Sequence, residues 1–293
     1  MKPWEGVVKI PEGESGSHRI SHFTRPPGEV ERSNLRTACI GGQHAEPIIF
    51  DRETTWHALS YEGGTWMTDL PIEQEQHDLA LEPVYGSVLV GGLGVGYAAN
   101  TLAARDDVDR VVVVELSSDV VKLVKPHIID PHGKVEVLNV DLFDYLKRDI
   151  DEEFDYAFFD IWQSDGEGTF FNVVCPLRKL TWDWVNDSNI ICWNENVMRG
   201  QLLNNLQSRA LFAANREHFG KVSDALPTLE DLATPSDSIW RQWSVPFFKA
   251  LLDGRVPSPT DDHEEFMGWA GSYAGMYGTR EWETYWELTL KGR

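Results

Sequence analysis

Short apolar runs alternate with longer segments of mixed character over the middle of the chain. Most of these runs have the length of a β-strand, and most are separated by stretches long enough for a crossover helix. The runs cover residues 88–90, 110–116, 134–140, 156–161 and 189–193. Alternation of this kind predicts an α/β fold, in which a doubly wound, mostly parallel sheet is covered by helices on both faces.

The pattern differs on the N-terminal side of this region. Residues 1–36 are rich in Gly, Pro, Ser and charged residues, which predicts an extended arm. Short apolar runs at 37–40, 47–50 and 55–61 are separated by pairs of glycines or charged residues, which is typical of a small antiparallel unit. A helix is predicted from Leu70 to about Pro83. We therefore expect a β-hairpin subdomain with a linking helix over 37–82 and the sheet domain over 83–195.

The C-terminal side reads as helical. Residues 196–293 are predicted to form a helical extension, with the clearest helix over 198–216. This extension is rich in Trp, which is more typical of packing than of cofactor binding because Trp mainly contributes buried area. It is placed to cover the sheet, to close a substrate pocket, or to dock on another subunit in a homo-oligomer.

Charge and cysteine content limit the classes of binding partner and the cellular compartment that we expect. The formal net charge of −21 would repel a phosphate backbone, so we expect no nucleic-acid partner beyond a single base or terminal nucleotide. Cys39, Cys175 and Cys192 lack CxxC spacing, which favours buried thiols in a reducing compartment. No apolar stretch approaches about 18 residues and the N-terminus lacks an apolar signal core, so we expect no membrane association and a cytoplasmic location.

A glycine-rich segment lies between the first predicted strand and the next helix. Gly92, Gly94 and Gly96 follow the run 88–90 and precede a helix predicted over 97–104. Glycines at this junction let the backbone turn sharply and approach a ligand without a Cβ clash. Tight turns use the same residues, so the segment alone leaves both interpretations open.

Carboxylates follow the next two strands. Glu115 lies 21 residues beyond Gly94, near the end of the second strand, where it can accept hydrogen bonds from ribose hydroxyls. Asp141 follows the third strand, where a carboxylate can meet the amino group of an adenine. A solvated strand-end Glu is the alternative for Glu115. The glycine segment and both carboxylates together predict a nucleoside site.

With these motifs the chain resembles the spermidine-synthase-like branch of the class I S-adenosylmethionine-dependent methyltransferase superfamily. The resemblance extends over about residues 37–195 and implies a Rossmann-like domain that binds S-adenosylmethionine or its decarboxylated form. It is carried by the segments VLVGGLGVG at 88–96, VVEL at 113–116 with DVV at 119–121, VDLFDYL at 140–146, and FDYAFFD at 154–160.

The chain departs from the aminopropyltransferases of that branch at two positions. Val95 stands where they carry an Asp that helps hold the ammonium of the donor, and Gln163 stands where they carry a second Asp. Asp160 matches the residue that, in that family, helps deprotonate the attacking amine. A polyamine acceptor needs several anions to bind and align it, so these losses weaken spermidine synthesis as the activity.

Three functions remain open at this point. The first is an S-adenosylmethionine-dependent methyltransferase on a small molecule or a side chain, since methyl transfer requires positioning and at most one base. The second is an aminopropyltransferase, and the third is a non-catalytic binding or assembly module that retains the fold. Asp160 is the candidate base or substrate anchor, with a helix cap or turn residue as the alternative.

Further candidates for the acceptor site lie within the sheet domain and just before it in the sequence. Trp162 and Gln163 follow Asp160 and are interpreted as one wall of the pocket, with plain packing as the alternative for both. Asp69, followed by Glu73 and His77, precedes the sheet domain and is placed to reach across the cleft, although an Asp before a helix is often a cap. No HExxH, zinc-ligand cluster, P-loop or GxSxG segment occurs, so we predict no metal site.

Overall fold

The computed structural model describes residues 7–31, 48–148, 152–163, 166–216, 218 and 226–285. The chain divides into two compact units. The first comprises Met1–Ser164 and Leu180–Trp193, and the second comprises Asp165–Lys179 and Asn194–Arg293. The strand predicted at 37–40, the thiol of Cys39 and the side chain of Trp286 lie outside the described residues.

The first unit begins with an antiparallel sheet. Its strands are β1 Gly13–Ser15, β2 His18–Arg25, β5 Thr54–Tyr61 and β6 Gly64–Thr68, in the order β1-β2-β5-β6. A separate antiparallel pair joins β3 Val30–Glu31 to β4 Ile48–Ile49. The hairpin between β5 and β6 has a two-residue loop, Glu62 and Gly63, with φ of 49° and 84°. Positive φ at both positions matches a primed turn, the type that favours a tight hairpin.

The predicted extended arm over residues 1–36 is wrong for its middle portion. Residues 13–15 and 18–25 form strands, and β2 pairs along its whole length with β5, from His18 opposite Tyr61 to Arg25 opposite Thr54. The hairpin subdomain therefore begins before residue 37. Ile20 is the fully buried residue of β2, while most of its other side chains are exposed.

A helix and a five-stranded parallel sheet follow. Helix α1 spans Pro71–Leu81. The strands are β7 Gly86–Gly91, β8 Val108–Glu115, β9 Val135–Asn139, β10 Tyr156–Phe159 and β11 Ile190–Cys192. The helices between them include α2 Tyr97–Ala103, α3 Ser118–Val124 and α4 Leu142–Leu146, with 3₁₀ turns at Lys125–His127 and Asp187–Asn189. All five predicted strands and the α/β, Rossmann-like fold class are confirmed.

The strand order indicates where this fold would bind a ligand. The order is β11-β10-β7-β8-β9 and every neighbouring pair is parallel. The chain runs outward from β7 through β8 to β9, then returns to the other side of β7 with β10. This reversal makes the carboxyl ends of β7 and β10 a topological switch point, where open α/β sheets bind their ligands.

The core of the sheet is formed by unbroken apolar runs. Val111, Val112, Val113 and Val114 of β8 are all at most 1% exposed, as are the central residues of β7. Strands that are buried on both faces have this continuous pattern rather than alternation. The predicted motifs are therefore carried on a rigid scaffold.

The second unit is helical and aromatic. Its elements are α5 Glu167–Thr169, a π-helical turn Phe170–Val174, α6 Cys175–Thr181, α7 Glu195–Ala214, α8 Leu229–Leu232, α9 Ile239–Leu252, α10 His263–Met276 and α11 Arg280–Tyr285. Trp243 is fully buried, with Tyr273 at 6.0 Å and Tyr277 at 5.8 Å between ring centroids. The Trp-rich helical extension is confirmed.

The boundary between sheet domain and extension differs from the predicted one. The sequence predicts that the sheet domain extends to residue 195, whereas Asp165–Lys179 belongs to the second unit. Phe171 explains this, because its ring contacts Trp243 at 5.5 Å and Tyr277 at 5.6 Å.

Among the described residues, none of the helices combines the length and hydropathy needed to cross a bilayer.

Candidate cofactor and acceptor site

The glycine segment turns in a conformation that requires glycine. Gly92, Gly94 and Gly96 have φ of 94°, 52° and 80°, in the left-handed region that side chains with a Cβ disfavour. At Gly92 the space is also closed, since a Cβ there would lie 2.5 Å from the carbonyl oxygen of Asp160. The loop therefore lies directly against the end of β10 at the switch point.

Glu115 binds the glycine loop. Its Oε2 accepts a hydrogen bond from the N–H of Leu93 at 2.8 Å, and its Oε1 accepts one from the N–H of Ser117 at 2.7 Å. Hydrogen bonds to an ionised carboxylate are stronger than neutral ones. The carboxylate therefore joins the loop to the end of β8.

Asp141 lies at the end of the neighbouring strand. The side-chain amide of Asn139 donates to the carbonyl oxygens of Glu115 and Leu116, at 2.8 and 2.9 Å, which holds the ends of β8 and β9 together. Asp141 itself caps α4, since its Oδ1 accepts from the N–H of Asp144 at 3.0 Å. Its role toward an adenine stays a prediction.

Asp160 stands on the other side of the switch point. Its N–H donates to the carbonyl oxygen of Gly91 at 3.0 Å, and its side chain is 17% exposed. The next helix begins at Glu167, so Asp160 does not act as an N-cap. The structure thus brings the carboxyl group to the same edge as the glycine loop, with part of its surface open to solvent.

Asp69 differs from this pattern because its carboxylate is engaged. It is 4% exposed, and both of its oxygens contact His57, one through the backbone N–H and the other through Nδ1 at 2.9 Å. Its carbonyl oxygen accepts from the side chain of Gln74 at 2.6 Å. Asp69 joins β5 to the start of α1, and contact with an acceptor stays a prediction. Glu73 and His77 lie on the following turns of α1 and approach Asp160. Nε2 of His77 is 3.6 Å from Oδ2 of Asp160, and the charge of Asp160 acts on Glu73.

Strand β6 passes close to the candidate site. The carbonyl oxygen of Thr65 accepts a hydrogen bond from the side chain of Gln163 at 3.4 Å. Met67 packs on Gly94 so closely that a Cβ there would lie 2.0 Å from its sulfur. The indole N–H of Trp162 is buried without a hydrogen-bond partner among the described residues. Met67 was not singled out by the sequence, because a Met in a hairpin strand has no local signal for such a contact.

Burial raises the pKa of the Glu73 carboxyl group. Desolvation is the largest cause, and the charge of Asp160 raises the pKa further. Two contacts lower it: the hydroxyl of Thr68, which donates to the carboxylate, and the nearby His77. The net direction is upward. The carboxyl groups of Glu73 and Asp160 thus lie close enough to interact at the carboxyl end of β10.

We expect Glu73→Gln to stabilise the protein more at neutral pH than in acid. At a pH below the ordinary pKa of Glu, the wild-type carboxyl is protonated in the folded and in the unfolded state. The raised pKa then has no effect on the free energy of unfolding. As pH rises, the unfolded state ionises first, so wild type loses stability and the neutral Gln does not. Urea denaturation of both proteins at several pH values measures this.

Glu75→Gln is the matched control, because Glu75 is exposed on the same helix. Its effect on the free energy of unfolding should change little with pH. A Glu73→Gln difference that stays constant from pH 4 to pH 8 would contradict the raised pKa.

Comparisons with known proteins give similarity to solved structures. No protein-family model matches the sequence, and no curated protein is significantly similar to it. A spermidine synthase in complex with the transition-state analogue AdoDATO is 18% identical with a TM-score of 0.37, over 61% of this chain and 56% of that one. The spermidine synthase from Thermotoga maritima is 17% identical with a TM-score of 0.37, over 61% and 55%.

A third similar structure is an amino pentose methyltransferase from Micromonospora echinaspora with bound S-adenosylmethionine. It is 19% identical with a TM-score of 0.25, over 38% of this chain and 41% of that one. The chain spans just over half of the length of the two spermidine synthases. The strand order and the loop geometry establish the Rossmann-like fold independently of these matches.

Proposed function

We propose that this chain is an S-adenosylmethionine-dependent methyltransferase acting on a small molecule or a protein side chain. One observation carries the proposal: the Glu115 carboxylate accepts from the N–H of Leu93 at 2.8 Å, inside the glycine loop and at the carboxyl edge of the sheet. Loop amides and a strand-end carboxylate at a switch point are the groups that bind a nucleoside in this fold class.

The residues present fit such a cofactor. The glycine loop would approach it through the backbone, Glu115 would accept from the ribose hydroxyls, and Asp141 would accept from the adenine amino group. Met67 covers Gly94 with the end of a flexible thioether side chain, which can adopt other rotamers. When bound, the cofactor supplies a methyl group on a sulfonium sulfur, which keeps the electron pair when the bond to carbon breaks.

Methyl transfer is favoured over aminopropyl transfer by two side chains. Val95 is fully buried and apolar, so the loop lacks a carboxylate at the position that would hold the ammonium of a decarboxylated donor. Gln163, at the second such position, is neutral and bonds to the carbonyl oxygen of Thr65. A multiply charged amine would therefore lack two of its expected counter-ions.

Asp160 is the residue that we assign to the acceptor. Its carboxyl group is partly exposed at the switch point, so it can accept the proton that the acceptor loses. The pair of electrons left on the acceptor forms the new bond to the methyl carbon. The buried N–H of Trp162 provides a donor that a bound acceptor could satisfy.

Calorimetric titration with S-adenosylhomocysteine tests the cofactor assignment. We expect the wild-type protein to bind it, and Glu115→Gln to bind it about 10- to 100-fold more weakly, since hydrogen bonds to charged groups contribute about 1.5–3 kcal/mol. Glu136→Gln is the control, because Glu136 is a carboxylate of β9 that pairs with Arg110 at 3.0 Å. Absence of binding by wild type, or equal weakening by both variants, would count against the proposal.

Turnover separates an enzyme from a binding module. The wild-type protein is incubated with S-adenosylmethionine and a panel of phenols, amines, carboxylic acids and short peptides, and the S-adenosylhomocysteine produced is measured. We expect production to depend on one acceptor class. Parallel titrations with intact and decarboxylated donor distinguish methyl from aminopropyl transfer, because preference for the decarboxylated form would reverse the assignment.

A further inference from the structure

Strand β6 holds one side chain directly against the glycine loop. Met67 extends from β6 onto Gly94, where a Cβ would lie 2.0 Å from the Met67 sulfur and 2.7 Å from its methyl carbon. A glycine lets a ligand approach the backbone on the side where other residues carry a side chain. At Gly94 the thioether fills that space, so Met67 and a ligand on the loop compete for it.

The backbone on both sides of Met67 is held in place. Met67 lies opposite Leu59 in the ladder between β5 and β6. On one side of it, the hydroxyl of Thr68 donates to the carboxylate of Glu73. On the other side, the carbonyl oxygen of Thr65 accepts a hydrogen bond from the segment that follows β10. A movement that clears the glycine loop is therefore a rotation of the Met67 side chain and not a lifting of the strand.

The Met67 side chain is able to make that rotation. It is partly buried, whereas Leu59, Leu93 and Val95 in the core that it packs against are at most 4% exposed. Methionine is unbranched and has three rotatable bonds, so it changes its rotamer readily. Because solvent borders the side chain, the displaced thioether has space to enter.

We propose that Met67 is a gate for the cofactor, an inference that rests on the proposed function. The side chain has two arrangements, one on Gly94 and one rotated away, and the cofactor binds only to the second. The apparent dissociation constant is then the intrinsic one divided by the fraction of molecules in which the gate is open. The gate controls access to the site and takes no part in the transfer of the methyl group.

Calorimetric titration with S-adenosylhomocysteine tests the gate by truncation. Met67→Ala removes the thioether and should lower the dissociation constant about 10-fold, the effect expected for a gate that is open in about one molecule in ten. Met67→Leu is the matched control, because leucine keeps the volume over Gly94 and should not bind more tightly than wild type. Thermal melting shows that both variants are folded. Weaker binding by Met67→Ala would overturn the gate, since Met67 would then support the ligand and not exclude it.

The gain in affinity should appear in the association rate constant, because opening of the gate precedes binding. Stopped-flow mixing with S-adenosylhomocysteine, followed by Trp fluorescence, measures both rate constants. We expect Met67→Ala to associate about 10-fold faster than wild type and to dissociate at the same rate. A gain confined to the dissociation rate constant would overturn the gate.

Methyl NMR follows the gate directly. The chain has five methionines, and in protein labelled with ¹³C at the methionine methyl groups the Met67 signal is assigned by its loss in Met67→Leu. We expect a nuclear Overhauser effect between this methyl group and the Hα protons of Gly94, which disappears on saturation with S-adenosylhomocysteine. The signal of Met198, which is fully buried in the helical unit, should not move. A contact that is missing before the titration, or still present at its end, would overturn the gate.

The outcomes separate the gate from the proposed function. Binding of equal strength by wild type and Met67→Ala would overturn the gate and leave the cofactor assignment intact. Absence of binding by both proteins would overturn the proposed function, and the gate with it.

Discussion

Gly92→Ala is expected to lower the free energy of unfolding by about 3 kcal/mol. The residue has φ of 94°, which strains any side chain with a Cβ. The added Cβ would lie 2.5 Å from the backbone oxygen of Asp160 and 3.3 Å from Cγ2 of Ile161. The oxygen belongs to the backbone, so relief requires the end of β10 to move. Urea denaturation measures the loss.

Gly133→Ala separates strain from the clash. Gly133 has φ of 68°, and no atom lies within 4 Å of the position of its Cβ. The variant should lose only the conformational part, about 1 kcal/mol. If both variants lost the same amount, the close approach of the glycine loop to β10 would be incorrect. Because Asp160 lies at that contact, Gly92→Ala should also weaken S-adenosylhomocysteine binding and any turnover.

The parallel sheet was predictable because its information is local. Strands buried on both faces require continuous apolar residues, and the runs around Val88 and Val111 show them directly. The glycine loop was predictable for a related reason. A left-handed turn between a strand and a helix restricts Gly92, Gly94 and Gly96 to one residue type.

The N-terminal strands were not predictable in the same way. In β2, Ile20 is fully buried, whereas Phe23 and most other side chains are exposed. A strand with one buried apolar residue has no period-two pattern for sequence reasoning to detect. Its stability comes from pairing with β5, whose residues lie 29 to 43 positions further along the chain than their partners. Such pairing depends on tertiary context rather than on local composition.

Within the candidate site, too, some features are encoded locally and others depend on tertiary contacts. Glu115 followed from its spacing to Gly94. The sequence predicts Asp69 near the cleft, but its actual partner, His57, lies on β5, and nothing in the sequence indicates that pair. The approach of Met67 to Gly94 and of His77 to Asp160 also depends on how the hairpin and α1 lie across the sheet. Residue types at strand ends can be read from sequence, whereas their partners require coordinates.

Asp160→Asn is expected to lower kcat about 1,000-fold while leaving S-adenosylhomocysteine affinity unchanged. General base catalysis contributes about 10²- to 10⁴-fold, and the amide cannot accept the proton of the acceptor. The backbone contact with Gly91 does not depend on the side chain, so the glycine loop should retain its geometry. Steady-state kinetics with the active panel acceptor, alongside titration with S-adenosylhomocysteine, measure both quantities.

Asp155→Asn is the matched control for this change. Asp155 precedes the same strand, at its amino end, where its carboxylate accepts from the N–H of Ser87 at 2.7 Å. Its loss should affect stability and not turnover, because chemistry in this fold class takes place at the carboxyl edge. Equal losses of kcat at the two ends of β10 would show that both act through the strand. A loss confined to Asp160 would place the transferred proton at the switch point, where the glycine loop and Glu115 meet.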